Sequence, residues 1–115
     1  DGFNDPDCRK CMIWNEEEQD SDMFAFTKEM IAFRKNNQEL LSYGAIEWFD
    51  IRDDEKVVGM KRTNGDEELI CYFNQCEQDL EITLERTPET LLRNLAFVDN
   101  KLLSVKKNGF VIYKA

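Results

Sequence analysis

The spacing of the apolar residues changes at Ala45, and this change limits the folds that the chain can adopt. Beyond Ala45, apolar and polar residues alternate, which places successive side chains on opposite faces of a strand. The alternation predicts seven short strands, Ala45–Ile51, Val57–Arg62, Glu68–Asn74, Leu80–Leu84, Leu91–Val98, Leu102–Val105 and Phe110–Lys114. Short, regular strands of this kind favour an antiparallel Greek-key β-sandwich.

Turn residues separate the predicted strands. Asn64-Gly65 predicts a hairpin with a type I′ turn, because both residues readily adopt positive φ. Further turn signals are Asp53-Asp54, Asp99-Asn100 and Lys107-Asn108-Gly109.

One α-helix is predicted before the strands. Met23–Lys35 contains neither Gly nor Pro, and Asp20 or Ser21 is suited to the N-cap. The apolar residues recur at helical spacing in two adjacent stripes, Met23, Phe26, Met30 and Phe33 beside Phe24 and Ile31. So wide an apolar face predicts a large covering partner, and self-association through the helix where that partner is missing. Before the helix, Asn15 could cap a short helical turn that begins at the acidic run Glu16-Glu17-Glu18.

Length and charge restrict the function. A chain of 115 residues is one domain or a piece of a larger protein. Its 24 acidic and 15 basic residues give a net charge of −9, which argues against nucleic acid or an anionic membrane as a partner. The chain has no His, which excludes catalysis that needs imidazole. No apolar run reaches the ~18 residues of a membrane span and no signal-peptide pattern is present, so a cytoplasmic location is predicted.

The four cysteines form the pairs Cys8-x2-Cys11 and Cys71-x4-Cys76. The second spacing is not typical of a zinc ribbon or finger, so a zinc module is a weak alternative to reduced, unligated thiols. We therefore expect neither a metal nor a cofactor.

The segment from Asn4 to Arg9 has unusual local chemistry. Pro6 holds Asp5 in an extended conformation, so the loop can present the Asp5 carboxylate and the Arg9 guanidinium together. An acceptor beside a forked donor suits sugar hydroxyls. The spacing alone nevertheless favours an internal Asp5–Arg9 ion pair that pins the loop. No catalytic constellation stands out elsewhere in the chain.

The same segment carries a resemblance to a known family. It reads Asn-Asp-Pro-Asp-Cys-Arg-Lys-Cys-Met-Ile-Trp, and an acidic stretch, a helix ending Ile-Ala-Phe-Arg-Lys and a β-rich tail with Leu-Ile-Cys-Tyr-Phe-Asn follow it. This order resembles the C-terminal end of α-amylase superfamily glycoside hydrolases, above all the neopullulanase, cyclomaltodextrinase and maltogenic amylase group. The resemblance implies that residues 1–20 are the loop after the last strand of a (β/α)8 barrel, residues 21–37 the last barrel helix and residues 38–115 the C-terminal β-sandwich domain.

The resemblance also implies a function. The parent would be a retaining hydrolase of α-1,4 glucosidic bonds, with α-1,6 bonds as a further option, in maltodextrins, cyclodextrins or pullulan. Asp5 and Arg9 would bind a glucose unit of the α-glucan oligosaccharide on the non-reducing side of the scissile bond. The catalytic carboxylates would lie on barrel strands that precede this chain, so the chain alone would be structural and non-catalytic. Trp14 could line the same rim, although a core position is the commoner one for such a Trp, and Cys11 departs from the family pattern.

An independent β-sandwich that binds carbohydrate or protein is the alternative function. The two hypotheses differ in what they predict upstream, because only a fragment of a hydrolase requires preceding coding sequence with barrel-strand Asp and Glu motifs.

Overall fold

The computed structural model describes residues 9–114. Its elements are a 3-10 helix Glu16–Glu18, helices α1 (Ser21–Asn36) and α2 (Gln38–Tyr43), and strands β1 (Ala45–Arg52), β2 (Val57–Asn64), β3 (Glu67–Asn74), β4 (Leu80–Thr83), β5 (Glu89–Asp99) and β6 (Leu102–Lys114). The chain divides after Ala32 into two compact units, and each is described by itself. None of the helices described is both long and apolar enough to cross a membrane.

Side-chain caps start both helical segments of the first unit. The Asp20 carboxylate accepts a hydrogen bond from the backbone N–H of Met23 at 3.0 Å, which confirms Asp20 as the N-cap of α1. The Asn15 side chain accepts from the N–H of Glu17 at 3.1 Å, as its place before the acidic run predicts. The helix α1 has no buried residue, and Phe24 is 59% exposed. Its apolar face is therefore uncovered in this chain.

The strands form one antiparallel sheet in the order β1-β2-β3-β6-β4, and β5 also pairs with β6. The first part of β6, Leu102–Val105, lies between β4 and β5, whereas residues 110–114 lie between β3 and β5. Six strands therefore stand where seven are predicted in the described part of the chain. The last two predicted strands are one, because β6 bends through Asn108 at φ 61° while β5 bends beside it through Leu95 at φ 52°.

This bend folds the sheet over a single core. Tyr72 and Val111, from the β3 side, lie in the same buried cluster as Leu80 and Leu103, from the β4 side. Two half-sheets thus face each other, and β6 lies beside β3 although two strands separate them in the sequence. The antiparallel β-sandwich predicted from the alternation is confirmed.

Two local features differ from the prediction. Asn64 pairs with Glu67 inside the ladder, so the two-residue loop is Gly65-Asp66, with positive φ at Gly65 alone. This is the arrangement of a type II′ turn rather than type I′. The sequence pattern also gave no sign of α2, which packs on the sheet through Leu40, only 3% exposed. The division into residues 1–20, 21–37 and 38–115 stays a prediction.

Candidate functional site

The predicted sugar-binding pair lies at the start of the described chain. Arg9 is exposed there, and Asp5 lies outside the described residues. The hypothesis that Asp5 and Arg9 act together therefore stays a prediction, as does the alternative of an internal ion pair.

An open groove of about 540 Å³ begins one residue after Arg9. It is lined by residues 10–13, by residues 18–20 and by Met23, Phe24 and Thr27 of α1. The Gln19 side-chain amide donates to the backbone carbonyl of Ile13 at 2.6 Å and closes the loop that borders the groove. The groove thus combines an apolar floor with polar edges, which is the usual composition of a ligand site.

Trp14 is 80% exposed, so the expectation of a core position is wrong for this chain. The amphipathic ring lies on the segment that follows the groove-lining residues, with Met12 and Ile13 also exposed. Sequence pattern could not reveal this, because an apolar residue in an irregular segment has no periodicity that assigns it a face.

A second polar cluster lies at the edge strand β1. The guanidinium of Arg52 donates to both oxygens of Asp50 at 3.0 Å, which holds the pKa of that carboxyl below its usual range. The Tyr72 hydroxyl donates to the same carboxylate at 3.4 Å. Burial, with Asp50 as a further cause, raises the pKa of Tyr72 to about 12. Because Asp50 is already paired on both oxygens, it is suited to holding the strand end rather than to acid-base catalysis.

Gly59 lets the aromatic rings of this cluster approach the backbone. A Cβ atom at Gly59 would lie 2.8 Å from the Tyr72 ring and 2.9 Å from Asp50. Phe49 packs edge-to-face on Tyr72 with ring centroids 5.6 Å apart. A side chain at Gly59 would therefore displace Tyr72 and its hydrogen bond to Asp50.

Sequence reasoning missed Arg62, which is the capping residue of α2. Its Nη2 donates to the carbonyls of Leu41 at 2.8 Å and Gly44 at 3.0 Å, and to that of Leu40 at 3.4 Å. A cation at this end complements the negative pole of the helix dipole. The Nε of Arg62 is buried and has no hydrogen-bond partner. The pair of strand and helix that Arg62 joins is 18 to 22 residues apart in sequence, so no short motif could indicate it.

The cysteines do not gather into one ligand set in residues 9–114. Cys71 is buried on the sheet face that carries Leu69, whereas Cys76 packs against the core on the opposite face. Burial raises the pKa of the Cys71 thiol to about 11, against the smaller opposing effect of Arg62. Cys11 is exposed, and Cys8 lies outside the described residues. Among the described residues, His, Cys, Asp and Glu form no group of three or more that could hold a metal ion.

Comparison with known proteins reveals close relatives. The chain is 45% identical over 75 residues to the intracellular maltogenic amylase of Bacillus subtilis, a match that covers 65% of this chain and 13% of that protein. It is 32% identical over 114 residues to the cyclomaltodextrinase of Thermoanaerobacter pseudethanolicus, covering 97% of this chain and 18% of that protein. The chain thus spans less than a fifth of the length of these relatives. No protein-family model matches the chain.

Solved structures share the fold. The isomaltulose synthase of Klebsiella sp. superposes with a TM-score of 0.67 at 25% identity, covering 86% of this chain and 18% of that one. A mutant isomaltulose synthase of Erwinia rhapontici, in complex with D-glucose, superposes with a TM-score of 0.69 at 22% identity over 87% of this chain and 19% of that one. The helix and sandwich therefore have the same arrangement of strands as a part of these larger enzymes.

Proposed function

We propose, from the homology of this chain to the C-terminal part of α-amylase-family glycoside hydrolases, that it is the C-terminal portion of a retaining glycosidase. The parent enzyme hydrolyses α-1,4 glucosidic bonds, and α-1,6 bonds where its site admits them, in maltodextrins, cyclodextrins or pullulan. The observation that carries the proposal is the match over 97% of this chain to one part of a cyclomaltodextrinase.

The names of the relatives support this substrate class. They comprise maltogenic amylases, cyclomaltodextrinases and a neopullulanase of Thermoactinomyces vulgaris, which is 43% identical over 47 residues. Retaining hydrolysis requires two carboxyl groups about 5–5.5 Å apart across the scissile bond. In our proposal these groups belong to the preceding barrel, and the present chain contributes structure and one end of the substrate site.

Within that site, Asp5 and Arg9 bind one glucose unit on the non-reducing side of the scissile bond. Arg9 offers several N–H donors in a fixed plane, and Asp5 offers two acceptor oxygens. The exposure of Arg9, next to a groove with polar edges, supports this role.

The test is a comparison of two neighbouring cations in the parent enzyme. Arg9→Ala should lower kcat/KM on maltotetraose by about 5- to 150-fold, the equivalent of losing a charged hydrogen bond worth about 1–3 kcal/mol. Lys10→Ala removes the same charge from the adjacent exposed residue and should change kcat/KM less than about twofold, within the usual range for surface substitutions. Equal effects of the two variants would refute a specific sugar contact by Arg9.

Thermal melts separate sugar binding from the ion-pair alternative. If Asp5→Ala and Arg9→Ala lower the Tm of the parent and leave kcat/KM unchanged below the melting range, the pair only pins the loop. The 115-residue chain itself should show no hydrolysis of maltodextrin or cyclodextrin above buffer. Turnover by the purified chain would place the catalytic carboxylates within it and refute the proposal.

A further inference from the structure

The sheet has an apolar face that α2 covers only at one end. We call it the outer face, the side of β1, β2, β3 and residues 110–114 of β6 that is turned away from the core. Beyond α2 it carries Ile46, Trp48, Ile51, Val58, Met60, Phe73 and Phe110, which the strand register places on one side. Trp48 is 57% exposed, Ile51 55% and Phe73 40%. Large apolar side chains that cluster in water mark an interface.

The side chains of the outer face form a continuous surface. Val58 lies opposite both Ile51 and Phe73 in the ladder, and the Phe73 ring stacks on Phe110 with centroids 6.1 Å apart. Trp48, Val58 and Phe73 line an open groove of about 530 Å³. Arg52, Lys56 and Gln75 also line it, so the groove has an apolar centre and polar side chains beside it, as protein interfaces do.

The covered end of the same face shows how it is used. Leu40 of α2 is 3% exposed and Leu69 beneath it is fully buried, while Arg62 ties the end of α2 to β2. Because α2 directly precedes β1, the polypeptide enters the β-sandwich on the outer face. The exposed surface is therefore continuous with an interface that already joins the sheet to the preceding polypeptide.

We propose that the exposed part of the outer face packs against the larger, preceding part of the same polypeptide, a proposal that rests on the proposed function. The chain corresponds to 13% and 18% of the length of two relatives, so most of such an enzyme lies outside it. A covalently joined domain has an effective concentration in the millimolar range, which favours it over a second copy for the same surface. Trp48 and Phe73 supply the aromatic anchors that dominate such contacts.

Thiol labelling in the parent enzyme tests this proposal. Phe73→Cys reports on the outer face, and Phe97→Cys is a matched control, because Phe97 is 52% exposed on the outside of the other half-sheet. Iodoacetamide labelling, read by peptide mass spectrometry, should be at least tenfold slower at position 73 than at position 97. In the 115-residue chain alone, both positions should react at similar rates.

Similar rates at the two positions in the parent would overturn the proposal. Trp48→Cys provides a second reporter on the outer face, to be used if Phe73→Cys fails to fold. Protection at these positions that disappears when the parent is diluted to monomers would assign the surface to a second copy and also refute the proposal. Activity of the parent on maltodextrin is measured separately, so a parent that lacks this activity but shows protection would refute only the proposed function.

Discussion

Replacing Asn74 should cost a large fraction of the stability of the sandwich. Asn74 ends β3 and is 1% exposed. Its amide donates to the carbonyls of Val105 at 2.8 Å and Gln78 at 3.0 Å, and its side-chain oxygen accepts from the N–H of Cys76 at 2.8 Å. It therefore links β3 to the segment before β4 and to the first half of β6. Asn74 is the one buried polar residue in the described core.

The expected loss follows from these three hydrogen bonds. Asn74→Ala leaves the buried Val105 carbonyl without this donor, at a cost of about 1–3 kcal/mol, and two partly buried backbone groups at about 0.5–1 kcal/mol each. The sum is about 2–4 kcal/mol, against a total stability of about 5–15 kcal/mol for a domain. Asn74→Asp should destabilise at least as strongly at pH 7, because it loses both donors and buries a carboxylate.

Urea unfolding followed by far-UV circular dichroism measures this loss. Asn94→Ala is the matched control, since Asn94 is exposed on β5 and should change the free energy of unfolding by less than about 0.5 kcal/mol. An Asn74→Ala midpoint equal to that of the wild type, with an unchanged m value, would refute the argument that these hydrogen bonds join the two half-sheets.

Three further predictions concern the helices and the thiols. At pH 8, iodoacetamide should modify exposed Cys11 at least roughly 100-fold faster than Cys71, because burial raises the pKa of Cys71 to about 11 and the thiolate is the reacting form; equal rates by mass spectrometry would contradict the buried position. Arg62→Met should reduce hydrogen-exchange protection in α2 more than in β3, with a stability loss of about 1–3 kcal/mol from the charged hydrogen bonds to the helix carbonyls; unchanged protection in α2 would rule out the capping role. The 115-residue chain should self-associate through α1, and replacing Phe24 and Ile31 by Glu should shift it to monomer in light scattering, because both are more than half exposed on the apolar helix face; a monomeric wild type at high concentration would contradict this.

The sequence predicted most element positions because their signals are local. Alternation placed β1 and β2 within two residues of the observed bounds, and Asp20 marked the start of α1 through its cap. The type of the β2–β3 turn was wrong, since it depends on whether Asn64 joins the ladder, and that is decided by pairing across strands. The exposure of Trp14 could not be predicted, because an irregular segment has no period.

By itself, the sequence determined the antiparallel β class, the capped helix and the resemblance of residues 4–14 to a glycosidase loop. These follow from patterns within a few residues, where side-chain period and capping chemistry act. Only the tertiary structure decided that the last two predicted strands form one bent strand, that Asn74 reaches Val105 and that Arg62 caps α2. Each of these depends on atoms that are 18 or more residues apart and meet only when the sheet folds over its core. The same folding buries Leu69 beneath α2 and leaves Phe73, on the same face, exposed to a partner.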